Sequence, residues 1–139
     1  MIRVLPDTGV LVEVLRHREA AEALVRCGWL FRLSAVVHAE LLRGADTRAE
    51  RAYVAQLART HPPLAPTPGQ WERCGLVLAR LRREQHFDPA GLRAIQNDVL
   101  IALTARGAGC PVVTTDLSDF NRIASLIRGL RVVPWPLKA

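Results

Sequence analysis

Cysteine, lysine and long apolar runs are scarce in this 139-residue chain, and each scarcity removes a class of protein. The three cysteines, Cys27, Cys74 and Cys110, are scattered singly. An odd count with no CxxC pair excludes a disulfide framework and a zinc knuckle, and it suits buried thiols in a reducing cytosol. No apolar stretch approaches the ~18 residues of a membrane span. The start, MIRVLPDTGVLVEVL, has neither a basic leader nor a small-residue cleavage site, so no signal peptide is expected and the location expected is cytoplasmic. Internal repeats and low-complexity segments are absent.

Half of the residues are hydrophobic and 23% are charged, the balance of a soluble domain with a real core. One domain over residues 1–139 is expected. The net charge is +6, and every cation but Lys138 is arginine, whose planar fork suits phosphate. Nucleic acid is therefore a natural partner.

Read in order, the chain alternates short apolar runs with helical periodicity. Ile2–Leu5 is β-prone and ends at Pro6, which has no N–H to give a ladder. Asp7 can cap the helix that follows. A helix over Arg18–Arg26 closes at Cys27-Gly28, and Trp29–Leu33 reads as a strand. Ser34 opens a helix to Gly44 that contains Glu40, and Thr47–Arg59 forms another. His61–Gly69 is a proline-rich loop with room for an edge strand at Leu64-Ala65. Trp71, Cys74, Leu78 and Leu81 mark the apolar stripe of a long helix. Asp88-Pro89 is a cap followed by proline at the first helical position, opening the helix that carries Asp98. Cys110–Thr115 reads as a strand handing over to a helix at Asp116, and Leu130–Val133 as a last strand. The pattern predicts an α/β protein of three layers, α/β/α, with a central, mostly parallel sheet covered by helices.

Right-handed crossovers bring the carboxyl ends of such strands to one edge, where open α/β folds bind ligands. Asp7 and Asp116 each follow a strand at that edge, and Glu40 lies two turns into the helix after a third. Asp98 sits in an apolar context of Ile95, Val99 and Ala102, where an unpaired carboxylate needs a cation. Each acid has a plainer role: Asp7 and Asp116 as helix caps, Asp119 as a first-turn acid, Glu40 as a solvated residue. Together, Asp7, Glu40, Asp98 and Asp116 make a cluster that repels itself. With no His or Cys set beside it, an all-oxygen site selects Mg²⁺ or Mn²⁺ over Zn²⁺. Such an ion can activate water for attack on a phosphodiester. Setting these four apart leaves nine acids against nineteen cations, a basic surround for an acidic centre.

The segments Asp7-Thr-Gly-Val-Leu11, His38-Ala-Glu-Leu-Leu-Arg-Gly44, Asn97-Asp-Val-Leu-Ile-Ala102 and Thr114-Thr-Asp-Leu-Ser-Asp-Phe120 resemble, in order and spacing, the four motifs of PIN-domain nucleases. The likeness covers nearly the whole chain and is nearest to the VapC-type toxins of toxin–antitoxin pairs. It implies a Mg²⁺- or Mn²⁺-dependent endoribonuclease that forms a homodimer and is inhibited by a small antitoxin. It implies Asp7, Glu40, Asp98 and Asp116 as the catalytic acids, with Asp7, Asp98 and Asp116 as metal ligands. Asp119 is then an outer member, and Thr114 orients Asp116. Arg43, Arg93 and Arg122, close in sequence to the acids, are candidate RNA contacts. Two positions depart from the family pattern: Gly9 stands where Asn is usual, and Pro6 precedes the first acid.

Rival readings lack parts. Asp-Thr-Gly occurs once, whereas an aspartic protease needs two such carboxylates on a β-rich scaffold. A receiver domain usually needs a late lysine, and Lys138 lies in the tail. Ser34 and His38 are four apart but have no third partner or oxyanion hole, so Ser34 is better read as a cap. His17, His61 and His86 fall in loops or helix ends and suggest no site. The reading that competes with a nuclease is a PIN-like module that binds RNA or a partner without cutting.

Overall fold

A computed structural model describes residues 2–136. Four short strands, β1 (Arg3–Pro6), β2 (Leu30–Phe31), β3 (Val112–Thr114) and β4 (Val132–Pro134), form one parallel sheet in the order β2-β1-β3-β4. Seven helices are assigned among the described residues: α1 (Thr8–Arg16), α2 (Arg18–Arg26), α3 (Ala35–Gly44), α4 (Arg48–Thr60), α5 (Pro68–Glu84), α6 (Pro89–Gly107) and α7 (Leu117–Ala124). The expected three-layer α/β arrangement is the one found, with every strand pair parallel.

The period-2 alternation of the strands divides the core between the two faces of the sheet. Leu5 and Val112 join a larger core with Leu33, Val37, Leu81, Val99, Phe120 and Ile123. Their neighbours Val4 and Val113 join a smaller one with Val10, Leu24 and Trp135. Pro6 does not stop short of the sheet but forms the last residue of β1. Leu5 and Asp7 donate to the Pro111 and Val113 carbonyls, so the intervening Pro6 faces the β2 side, where the strand has already ended at Phe31.

The helix starts follow the local chemistry of the sequence. Ser34 accepts from the Val36 and Val37 backbone, which settles its role as a cap. Thr67 and Gln70 exchange a reciprocal capping box ahead of α5, and Asp88 caps α6 with Pro89 in its first turn. Two expectations are corrected. Trp71 is 50% exposed, and the buried stripe of α5 is Cys74, Val77 and Leu81, because α5 packs along α6 through that side. The strand expected over Trp29–Leu33 shrinks to two residues, since β2 is an edge strand and beyond it Ser34 pairs with Leu64 in a single bridge.

The turn from α6 to β3 positions the site. Gly109, at φ +70°, donates to the Arg106 carbonyl, and Cys110 to the Ala105 carbonyl, the two bonds of a glycine-terminated helix end. From Asp98 down to Gly107 the helix covers about 14 Å. From Cys110 back up to Thr115 the extended chain covers about 16 Å. These nearly equal lengths return Asp116 to the level of Asp98. No described helix is long and apolar enough to cross a membrane.

Candidate active site

Five acids from four segments meet at the carboxyl edge of the sheet. Asp7, leaving β1, is buried and caps α1, its Oδ1 accepting from the Val10 N–H at 3.0 Å. Its Oδ2 accepts a short hydrogen bond from the Thr114 hydroxyl at the end of β3. That same hydroxyl oxygen accepts from the Asp116 backbone N–H at 2.8 Å. Thr114 therefore ties the first acid to the segment carrying the fourth and acts on both, where only an action on Asp116 was expected. Asp116 caps α7 by accepting from the Asp119 N–H at 3.3 Å.

Glu40 is not simply solvated. Its Oε1 accepts from the Thr8 hydroxyl at 2.8 Å, and its Oε2 lies 3.6 Å from the Arg43 guanidinium. Thr8 is a site residue that the sequence reading passed over, although its place directly after Asp7 was a signal. Asp98, half-buried on α6, has no arginine partner among the described residues. One carboxylate oxygen from each of Asp98, Asp116 and Asp119 lies within 4.8 Å of the other two. Asp119, expected as an outer member, thus belongs to the most compact trio, while both Asp7 oxygens are engaged by Val10 and Thr114.

Burial pushes Asp98 up to about 7, and the negative charges of Glu40, Asp119, Asp7 and Asp116 add to the shift. Asp7 is raised by burial against the opposing hydrogen bonds of Thr114 and Val10, with Asp116 and Glu40 raising it further. Asp119 is raised by burial and by the charge and hydrogen bond of Asp116, with Arg122 pulling the other way. The protein carries a concentration of negative charge that its own cations do not neutralise, the condition in which a hard cation binds oxygen ligands. The donors are all carboxylate oxygens, so the residues present fit Mg²⁺ or Mn²⁺.

The three arginine candidates differ. Arg43 pairs with Glu40 at the rim, and Arg122 sits over the Phe87 ring at 5.8 Å and within electrostatic reach of Asp119. Arg93 is an exposed residue of α6, and no contact places it at the acids. At Gly9, a Cβ would come 2.7 Å from the Thr115 hydroxyl oxygen and 3.6 Å from Asp7 Oδ1. Glycine stands there because the Thr115 side chain fills the space, and a hydroxyl takes the place of a polar group projecting from α1. Beside Glu40, a groove of about 550 Å³ runs between α1, α3 and α4, lined by Val12, Leu15, Leu41, Tyr53 and Val54 among others.

A parallel sheet with clustered carboxylates at its carboxyl edge defines a class of α/β proteins. Within that class, the family model for the PIN domain matches residues 4–126, and the chain belongs to that family. No curated protein sequence matches the chain. Among solved structures, it is similar to VapBC2 from Rickettsia felis bound to a promoter DNA fragment, with a TM-score of 0.73 at 18% identity over 97% of this chain and 99% of that one. It is similar to VapBC-1 from nontypeable Haemophilus influenzae, TM-score 0.72, 22% identity, covering 97% and 98%. A toxin–antitoxin complex from Klebsiella pneumoniae gives 0.66 at 24% identity, covering 94% and 95%. At these identities the likeness is one of fold.

Proposed function

We propose that the chain is a single-domain, divalent-metal-dependent endoribonuclease that acts in the cytoplasm as the toxin of a type II toxin–antitoxin pair. One observation carries the reading: five carboxylates converge while Asp98, pushed up to about 7, has no basic partner among the described residues. Asp98, Asp116 and Asp119 would hold Mg²⁺ or Mn²⁺, with Asp7 and Glu40 completing the catalytic acids. The ion would supply an activated water and offset the charge gathering on the scissile phosphate. The chain's own residues fix the frame. Thr114 holds Asp7 and the Asp116 backbone together, and Thr8 holds Glu40 to the start of α1. Arg43 beside Glu40 and Arg122 beside Asp119 would meet phosphates flanking the cut.

The toxin role is supported by solved structures of the same fold that are described as a toxin–antitoxin complex from Klebsiella pneumoniae and a VapBC-family toxin–antitoxin system from Mycobacterium tuberculosis. The groove beside Glu40 suits an amphipathic segment of such an inhibitor, since its lining is mostly apolar and also carries Arg16, Glu40 and Glu50. The exposed Trp71 and Leu76 of α5 offer apolar surface for a second copy in a homodimer.

The test is cleavage of RNA by purified protein with Mn²⁺ or Mg²⁺, its loss with EDTA, and its loss in Asp98→Asn and Asp116→Asn. Cleavage that survives either substitution would remove these acids from the mechanism. Wild-type protein that binds RNA but never cuts it with either ion would favour the non-cleaving module.

A further inference from the structure

A second charged site lies beside the other end of β1 from Asp7. A cleft of about 470 Å³ beside the edge strand β2 is lined by Arg3, Trp29, Phe31, Arg32, Thr60 and His61, with no carboxylate in its wall. The Phe31 and His61 rings stack in it, centroids 4.0 Å apart and planes 18° from parallel. Neither Arg3 nor Arg32 forms an ion pair among the described residues. A third cation gathers behind them: burial pushes the Cys110 thiol up, and Arg32, Arg3 and Arg131 all pull against it, so the three guanidinium charges reach one buried atom. Register explains the pairing of the two cleft arginines. Arg3 sits beside Leu30 and Val4 beside Phe31, so Arg3 and Arg32 emerge from one face of the sheet edge.

Cations left unpaired beside half-buried aromatic rings match one kind of ligand well. Guanidinium forks bind phosphate oxygens in pairs, and rings stack on any unpaired base. A double helix hides its base faces, and an acidic peptide offers no ring to stack. We infer that this cleft binds single-stranded RNA, with a base packed against the Trp29 and Phe31–His61 rings and its phosphates held by Arg3 and Arg32. The inference rests on RNA being the polymer cut at the acids. Three residues of β1 separate Arg3 from Asp7, a span of about 13 Å. That is short enough for a strand lying across the acids to continue to the cleft, so nucleotides outside the cut would be gripped here.

The experiment measures binding without cleavage. Wild-type protein in EDTA is titrated into fluorescein-labelled oligouridylate, with anisotropy read at several salt concentrations. The double variant Arg3→Gln/Arg32→Gln should weaken binding about tenfold or more, and flatten the slope of log K on log salt by about 1.4, the loss of two single-strand phosphate contacts. Trp29→Leu should weaken binding several-fold and leave the slope alone. Arg32→Lys, which keeps the charge, should keep the slope and serves as the folding control beside thermal melts. If the double variant melts early, Arg3→Gln alone, at an exposed position, carries the test with half the slope change. No wild-type binding, or an affinity and slope that ignore the arginines, overturns the inference. So does equal loss on duplex RNA or full competition by polyglutamate. Protein that binds through these arginines but never cuts would sink the nuclease reading and leave this one standing. Protein that cuts but ignores them would do the reverse.

Discussion

The two halves of the acidic site are built by different means. On one side, Asp7, Thr114 and the Asp116 backbone form a closed chain of hydrogen bonds, and Thr8 secures Glu40 in the same way. On the other side, Asp98 stands on a helix whose neighbours Val99 to Ala105 are all buried, and Asp119 rides on α7 packed against it. The first half is a set of polar contacts that stabilise the fold as they position the acids. The second is held by hydrophobic packing, and its acids cost stability whenever no cation is present. The same edge of the sheet thus joins a part that stabilises the fold to a part whose charges repel one another.

The largest expected effect separates chemistry from folding. Asp98→Asn should lower RNA cleavage by more than about a hundredfold. It should also raise the melting temperature of metal-free protein at pH 8, because it removes a charge that burial and four neighbouring acids penalise. A lowered melting temperature would mean that Asp98 has a stabilising partner in solution. Asp7→Ala should abolish cleavage too, but with the opposite effect on the fold. Losing the α1 cap and leaving the Thr114 hydroxyl unpartnered should cost about 2–3 kcal/mol, readable by urea denaturation.

Proton linkage sharpens the contrast. Asp98 ordinarily titrates near 3.8 and is pushed up to about 7, so between those values the native state keeps a proton that the unfolded chain has lost. Stability of the metal-free protein should therefore fall as pH rises through this window and level off above it. Between pH 6 and pH 8 the change is about 1 kcal/mol, a few degrees in melting temperature. Saturating Mn²⁺ should stabilise the protein more at pH 8 than at pH 6, since proton and metal compete. Melts that are identical with Mn²⁺ and with EDTA at pH 8 would leave the acids without a metal. The smallest effect concerns Gly9. Gly9→Ala should be close to neutral or mildly destabilising in the wild type, and stabilising by up to about 1 kcal/mol once Thr115→Ala has cleared the space. A double-mutant cycle gives the coupling.

The parts of this arrangement that were legible in the sequence are those set by local chemistry. Caps at Asp7, Ser34, Asp88 and Asp116 could be read because a short polar side chain before a helical stripe has one common use. The four acid-bearing motifs could be read because their order and spacing resemble those of PIN-domain nucleases. Misread elements depended on packing. Trp71 looked like core because it shares a helical period with Cys74 and Leu81, and only the way α5 lies on α6 turns it outward. Asp119 is the first-turn acid the sequence suggested, but its approach to Asp98 was not legible because the proximity of α7 to α6 is a tertiary fact. The arginine and aromatic cleft was invisible, since Phe31 and His61 meet only when the end of α4 folds back on β2.

Trp135 gives the far end of the described chain a hold on the chemistry. Its ring, 6% exposed, is wedged among Val4, Val10, Leu24 and Val113, and its backbone N–H donates to the Thr114 carbonyl at 2.8 Å. The residue whose hydroxyl spans the first and fourth acids is thus clamped from behind by a tryptophan that touches no acid. Shortening the polypeptide ahead of Trp135 would loosen the centre remotely, and the indole's emission offers a built-in gauge of whether that clamp is shut.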